Sequence, residues 1–305
     1  VIWGTDVNVD RVMQQFKTFL ENFIPEGDHH DEPLYMRKLN AISQTQEFSI
    51  EIDCRHIAAY GLTTRLYTQL VQYPQEIVPL MDLVVNQIFA NQIGSRDLGT
   101  NRIQVRTCCL RTVHQLRALD PINIDQMVAL RGMITRVSPI VPDLKQAFFK
   151  CSICSHCCEV MIDRGRIEEP KQCANCHSRL SCEIVHNRCA FTDKQLIRLQ
   201  ETPDEIPEGE TPHSVTLFAF DDLVDTVRPG DRVEVTGIFR AVSKRPSPKM
   251  RTVNSLYRTY LDVIHFKLVN RSNDDSQSDD GTTQGNNQKL TQDRINEIQQ
   301  LSRNP

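Results

Sequence analysis

The sequence predicts an α+β chain of several domains, a helical bundle followed by a small β-barrel with a metal-binding ribbon inserted into it. Three observations predict this. Apolar residues recur at three- and four-residue steps through the first third of the chain; short alternating segments separated by turns follow from Val113; and two Cys-x2-Cys pairs interrupt that second region.

In the first region, Val9, Val12, Met13, Phe16, Phe19, Leu20 and Phe23 mark an amphipathic helix over Val9 to Ile24, which Pro25-Glu26-Gly27 stops. A second helix is expected over Tyr35 to Ser43, a short strand over Phe48 to Asp53, and helices over Leu62 to Gln72 and Pro74 to Asn91. Pro74 suits a first helical turn, where its missing N–H costs nothing. Ile77, Leu80, Met81, Val84, Val85, Ile88 and Phe89 form the apolar face of the last helix and read as core, not as a ligand stripe.

In the second region, strands are expected over Met127 to Val141, Ala147 to Lys150, Glu159 to Ile162, Cys182 to Phe191, Gln195 to Leu199, Val215 to Phe220, Arg232 to Val242 and Tyr257 to Val269, with Pro229-Gly230-Asp231 as a turn. Many short strands without crossover helices favour a barrel or sandwich. The five-stranded OB barrel is the natural candidate, because its loops carry insertions and its face binds single strands. The expected organisation is a helical domain at 1–112, the first part of the OB-fold at 113–149, the ribbon at 150–186, and the second part of the OB-fold at 187–270. An acidic segment without large apolar residues follows at 271–289 and reads as a disordered linker, and helical spacing returns at 290–305 as the start of a further domain.

Composition narrows the class. The chain has 305 residues, 39% of them hydrophobic and 24% charged, which suits soluble globular domains. No stretch approaches the roughly 20 apolar residues of a membrane span, so no membrane partner is expected. The first residues lack a start methionine and suggest a fragment. Eleven cysteines, concentrated between Cys151 and Cys189, favour a reducing compartment, cytosol or nucleus, over a disulfide framework. With a net charge of −4, any nucleic-acid binding must come from a local patch.

Cys151, Cys154, Cys173 and Cys176 carry the most specific chemistry. Each Cys-x2-Cys turn points two thiolates at one ion, and two such turns complete the tetrahedron that zinc accepts. Four thiolates leave no open position for water, so the zinc is expected to be structural. Cys157, Cys158, His156 and His177 lie close enough to compete, and Cys151-x2-Cys154-x2-Cys157 resembles part of an iron–sulfur run, although no Cys-Pro follows it.

A second constellation is basic. Arg240, Lys244, Arg245, Lys249, Arg251 and Arg258, with Tyr257 and Tyr260, contain no acidic residue between Arg240 and Leu261. They form a basic hairpin that could track a phosphate backbone, against the simpler reading of a solvated charged loop. Arg136, Arg188, Lys194 and Arg198 form either a basic strip or salt-bridged surface groups, and spacing favours neither. Gly94 to Thr100 mimics a phosphate-binding loop, but Thr100-Asn101 replaces the Lys-Ser/Thr that reaches phosphate and magnesium. Asn270-Arg271-Ser272 matches a glycosylation sequon, yet a thiolate-rich zinc protein is not expected to be secreted. No Ser-His-Asp or Cys-His arrangement is visible.

The runs Val128-Ala129-Leu130-Arg131-Gly132-Met133-Ile134-Thr135-Arg136, Ala147-Phe148-Phe149-Lys150-Cys151, His186-Asn187-Arg188, Asp193-Lys194-Gln195, Leu199-Gln200-Glu201-Thr202-Pro203 and Arg228-Pro229-Gly230-Asp231-Arg232-Val233 resemble the N-terminal region of the minichromosome maintenance (MCM) replicative helicases. The resemblance covers residues 1 to about 270 and, more weakly, 290–305. It implies the collar of a heterohexameric ring around single- or double-stranded DNA, with the ribbon joining two head-to-head hexamers and a hairpin entering the channel. By motif, Arg136 and Arg198 land on single-strand-binding positions, Arg240 to Arg258 on the hairpin, and Gln200 to Pro212 on a loop that communicates with the ATPase tier. It also implies a nuclear protein of replication licensing, initiation and fork unwinding, whose ATP site lies in an ATPase domain absent from this sequence, so no enzyme activity is expected of this chain. Cys157 and Cys158 depart from the family ribbon. Two rival readings remain: a zinc-ribbon module that binds proteins and touches DNA incidentally, and an enzyme with a labile cluster at Cys151, Cys154 and Cys157.

Overall fold

A computed structural model describes residues 2, 4–25, 32–45, 48–93, 102–161, 169–243 and 255–269. The linker at 271–289, the helical spacing at 290–305, the Gly94 to Thr100 segment, Asn270, and the hairpin bases Lys244, Arg245, Lys249 and Arg251 lie outside the described residues.

Among the described residues, five helices and a two-stranded sheet form the first part: α1 (Val9–Asn22), α2 (Leu34–Thr45), β1 (Ser49–Asp53), α3 (Cys54–Ala59), α4 (Thr64–Gln72), α5 (Pro74–Ile93) and β2 (Gln104–Cys108). Helix α1 starts where Asn8 accepts the Arg11 N–H and ends where the Phe23 N–H returns to Phe19 O. Its period buries Val12, Phe16, Phe19 and Leu20. Phe19 packs against Phe23, Tyr35 and Tyr60 with centroids 5.0–5.8 Å apart, so truncating it removes the centre of an aromatic cluster. Helix α5 begins at Pro74, as the sequence predicts.

Two elements here were not expected. Helix α3 is a short turn that Asp53 caps by accepting the Arg55 N–H at 2.7 Å. Strand β2 pairs in parallel with β1, Ser49 opposite Gln104 through Asp53 opposite Cys108. Its outer edge is covered by α5: the Asp82 carboxylate accepts the Val105 N–H at 2.7 Å, and Asn86 both accepts from Ile103 N and donates to Ile103 O at 2.9 Å. A buried strand edge needs such partners for its amides and carbonyls.

The second part holds β3 (Val113–His114), β4 (Met127–Val137), β5 (Val141–Cys151), β6 (Cys157–Met161), β7 (Cys182–Ile184), β8 (Ala190–Gln200), β9 (Ser214–Phe220), β10 (Arg232–Ser243) and β11 (Tyr257–Leu268). The pairings β4–β8, β8–β9, β9–β11, β11–β10 and β10–β4 close a ring of five strands, antiparallel except at β9–β11. Leu130, Ile134, Ile197, Leu199, Leu217, Val235, Phe239 and Leu261 fill it. Gly132 and Gly237 allow its tightest approaches, since a Cβ on Gly132 would stand 2.6 Å from Gln200 O and one on Gly237 2.4 Å from Asp262 O.

Two expected strands are each divided in the structure. Met127 to Val141 breaks at Ser138-Pro139-Ile140, where proline withholds a ladder donor, and the chain turns back as β5. Cys182 to Phe191 breaks at a 3-10 turn, His186–Arg188, between β7 and β8. The excursion β5–β6–β7 leaves the ring between β4 and β8, and β5 stays paired with β8 from Val141 opposite Lys194 to Gln146 opposite Ala190. The helical core continues into the ring, because Met127 and Ala129 of β4 belong to it and Ile264 of β11 packs against it.

Candidate metal centre and basic outer face

Two turns of the same geometry build the cysteine site. In the first, Cys151 N donates to His156 O at 2.8 Å and Ser155 N donates back to Cys151 O at 3.1 Å. In the second, Cys173 N donates to Ser178 O and His177 N to Cys173 O, both at 3.1 Å. The residue after the second cysteine is left-handed in each, Ser155 at φ 56° and His177 at φ 54°. This tight return aims both thiols of a pair to one side.

The four Sγ atoms of Cys151, Cys154, Cys173 and Cys176 lie within 4.8 Å of one another. Cys151 and Cys176 are 3.6 Å apart, and Cys154 and Cys173 3.5 Å. A tetrahedral zinc with bonds of about 2.3 Å has S···S edges of about 3.8 Å, so the donor set fits that ion. Hydroxyls support the thiols: Cys176 Sγ is 2.8 Å from Ser178 Oγ, Ser178 Oγ is 2.8 Å from Ser181 Oγ, and Cys151 Sγ is 3.3 Å from Ser181 Oγ. The Cys154 backbone N–H and the Ser181 hydroxyl lower the Cys151 thiol to about 5, and Ser178 lowers Cys176, while, against the His156 backbone N–H, burial and the neighbouring cysteines push Cys154 up to about 12. At Cys151 and Cys176 the hydrogen bonds thus favour the thiolate that a metal requires.

The competing ligands stand aside. Among the described residues the metal-spaced group contains only the four cysteines, without Cys157, Cys158, His156 or His177. Cys157 begins β6 opposite Lys150, is exposed, and its thiol approaches Ser155 O at 3.6 Å. The three-cysteine iron–sulfur reading therefore lacks its third ligand.

The expected basic groups divide by neutralisation. Lys194 Nζ is 3.2 Å from Asp143 Oδ2 and also lies over the rings of Phe218 and Phe220 at 4.9 and 5.1 Å. Arg240 Nε lies 2.5 Å from Asp262 Oδ2, an ion-pair contact without hydrogen-bond alignment. Arg188 stacks over Phe148 at 5.2 Å. Arg136 and Arg198 differ: both are exposed, and among the described residues neither has a carboxylate within ion-pair distance.

A register shift brings these two arginines together. Along β4, Leu130, Gly132 and Ile134 face inward, and uninterrupted alternation would send Arg136 inward too. A bulge at Thr135 inserts one residue, so that Ile134 pairs with Leu199 and Arg136 directly with Arg198. Arg198 donates to Ser214 Oγ from Nη2 at 2.8 Å and from Nε at 3.2 Å. Like charges directly across a ladder repel. An outward pair of unneutralised guanidiniums can hold phosphate.

Sequence reasoning missed Arg117, which lies in a 3-10 turn between β3 and β4. Its Nε donates to both Glu201 carboxylate oxygens, at 2.8 and 3.1 Å, its Nη1 meets Glu210, and its Nη2 donates to Thr211 O at 3.3 Å. Burial alone pushes the Glu201 carboxyl up, and Arg117 with the His213 N–H more than reverses it, leaving the group low. Arg117 thus ties both ends of the loop after β8.

Two family models match this chain, the MCM N-terminal domain over residues 13–109 and the MCM OB domain over residues 115–243. The DNA replication licensing factor mcm4-B of Xenopus laevis is 41% identical over 314 residues, covering 100% of this chain and 36% of the relative. MCM4 of Drosophila melanogaster is 40% identical over 278 residues, 88% of this chain and 32% of the relative. MCM4 of Arabidopsis thaliana is 37% identical over 316 residues, 100% of this chain and 37% of the relative. The chain spans about a third of the length of these curated relatives.

Proposed function

The chain belongs to the MCM family, and we propose that it forms the N-terminal, DNA-binding and assembly tier of a replicative helicase subunit. In this reading the closed five-strand ring is an OB barrel, and its outer Arg136–Arg198 pair contacts the phosphates of single- or double-stranded DNA. That pair is the observation that carries the reading, because a bulge places two uncompensated cations side by side on an exposed face. Lys194 and Arg240 act in support, their charge being shared with Asp143 and Asp262. The hairpin bases Lys244, Arg245, Lys249 and Arg251 would extend the basic surface beyond the ends of β10 and β11.

The four-cysteine site holds zinc with no position left for water, so its chemistry is structural. Exposed Ile153 on the first turn and Leu180 just after the second offer apolar surface for contact with other MCM subunits, within a heterohexamer and between hexamers placed head to head. Arg117 orients the loop through which this tier would signal to an ATP-hydrolysing tier that this sequence does not contain. The working place of such a protein in licensing, initiation and fork unwinding is the nucleus.

Fluorescence anisotropy with a labelled single-stranded oligonucleotide tests the contact. Replacing Arg136 and Arg198 together by alanine is expected to weaken binding at low salt by roughly tenfold or more. Replacing Lys194 and Arg240 together is expected to cost less, since those charges already have partners. The reverse ranking, or no loss from the first pair, would overturn the assignment.

A further inference from the structure

Past Cys108, the last residue of β2, the chain turns at Cys109 beside a cavity of about 470 Å3 whose walls include Arg55, Cys109, Arg111, Arg131, Glu234 and Lys267. These residues come from α3, β4, β10 and β11 as well as the turn, so the cavity lies on the seam between the helical part and the ring, apart from the zinc site and the Arg136–Arg198 pair. Cys109 has a φ of 54°, a left-handed conformation that costs energy in any residue but glycine. The turn brings its Sγ to 3.6 Å from Lys267 Nζ, which donates to it. The neighbouring Cys108 Sγ lies 3.5 Å from Ile52 O and is partly buried at the end of the strand.

The charges around Cys109 are not balanced. Arg55 is paired with Asp53 at 3.0 Å and Arg131 with Glu234 at 3.1 Å. Arg111 donates to Ala58 O at 3.4 Å and lies 5.7 Å from the Tyr67 ring, while Lys267 is exposed. Among the described residues neither Arg111 nor Lys267 has a carboxylate within ion-pair distance. A half-buried sulfur thus shares a cavity with two cations that, among the described residues, no carboxylate neutralises. A hydrogen bond from the Cys108 thiol, with Lys267 and Arg55, favours the Cys109 thiolate over the burial and the Asp53 carboxylate that oppose it.

From this juxtaposition we infer that Cys109 is a thiol-exchange site selective for small anionic disulfides of the glutathione type, whose carboxylates are held by Arg111 and Lys267. The Cys109 thiolate attacks one sulfur of the disulfide; a Cys109–S–S–R bond forms as the R–S–S–R bond breaks, and the departing thiolate carries off the electron pair and takes a proton from water. Cysteine is oxidised, the leaving half is reduced, and no other oxidant enters. The adduct occupies the seam between helices and ring, so oxidation there acts on how those parts meet and not on the zinc site.

The full zinc-loaded chain is incubated with oxidised glutathione or with cystamine, a disulfide of opposite charge, then acid-quenched, and adducts are quantified by peptide mass spectrometry. Cys157 is the reference, an exposed thiol with no cation at hydrogen-bond distance among the described residues. The ratio of the glutathione rate to the cystamine rate is expected to be roughly tenfold higher at Cys109 than at Cys157. Lys267→Met, at an exposed position, should bring that ratio down severalfold toward the Cys157 value while the chain stays folded. Equal ratios at both cysteines, a Cys109 that stays unmodified while Cys157 reacts, or a ratio unmoved by Lys267→Met would overturn the inference.

Discussion

The cysteine excursion and the five-strand ring are joined by one strand, β5, yet they are held by different forces. At the ring end, β5 pairs with β8 above a core that includes Ile134, Ile197, Leu199, Leu217 and Leu261. At the other end, the buried residues beyond Cys151 among those described in 152–189 are Cys173 and Ser181, and the large apolar side chains Ile153 and Leu180 face solvent. A segment that buries so little cannot offset its conformational entropy by apolar contact and needs a staple. The difference teaches that the excursion needs a staple which the ring and the helices, with cores of their own, do not, and the four-cysteine cluster is placed to supply it by holding a metal.

Metal removal separates the two most sharply. Chelation, or Cys173→Ser, should unfold the excursion, because structural zinc contributes an apparent binding energy of about 10–16 kcal/mol in small zinc folds. Amide exchange would then show loss of protection at residues 150–189 and retention in β4, β8 and β10. Protection lost in both regions together would break the comparison.

Arg117→Ala probes the ring side. It leaves the Glu201 carboxylate, 1% exposed, without its guanidinium, and should cost roughly 2–3 kcal/mol in denaturant unfolding. The loss should be the same with and without bound metal if the two regions are independent.

A smaller effect distinguishes the helical part. Burial raises the Asp82 carboxyl to about 6 against the Val105 N–H and Arg106, which lower it. A raised folded value means that Asp82 contributes its stability in full below its unfolded value near 3.8 and loses it as pH rises through about 6. Asp82→Asn keeps an acceptor for Val105 N–H without the charge, so it should raise stability on the order of 1 kcal/mol at pH 8 and leave it nearly unchanged at pH 4. Thermal unfolding across that range checks the sign.

The parts legible in the sequence were those whose cause is local. The cluster of four cysteines follows from two short turns, and α1 and α5 from a period that any window along them displays. Strand β2 was hidden because Val105, Arg106 and Thr107 are all buried, which erases alternation, and because its partner β1 lies some fifty residues earlier in a parallel pairing. The break at Pro139 was visible in principle, since proline does not continue a paired strand. Neutralisation was not: Asp262 sits one residue past the acid-free stretch and reaches Arg240 across the ladder. Arg117 joins groups 84 to 94 residues away, a distance no motif spans. The Thr135 bulge, which creates the Arg136–Arg198 pair, depends on the register of a strand sixty residues on.

The salt dependence of single-stranded DNA binding, measured for the wild-type chain and for Arg136→Ala with Arg198→Ala, each before and after metal removal, tests the central claim most directly. If the ring's outer face contacts the phosphates, the double substitution lowers the magnitude of the log–log slope by about 1.4, about 0.7 for each phosphate no longer neutralised, and chelation leaves it where it was. A slope unmoved by the two substitutions, or one that collapses when the metal is withdrawn, would contradict the account and place the DNA on the cysteine excursion instead.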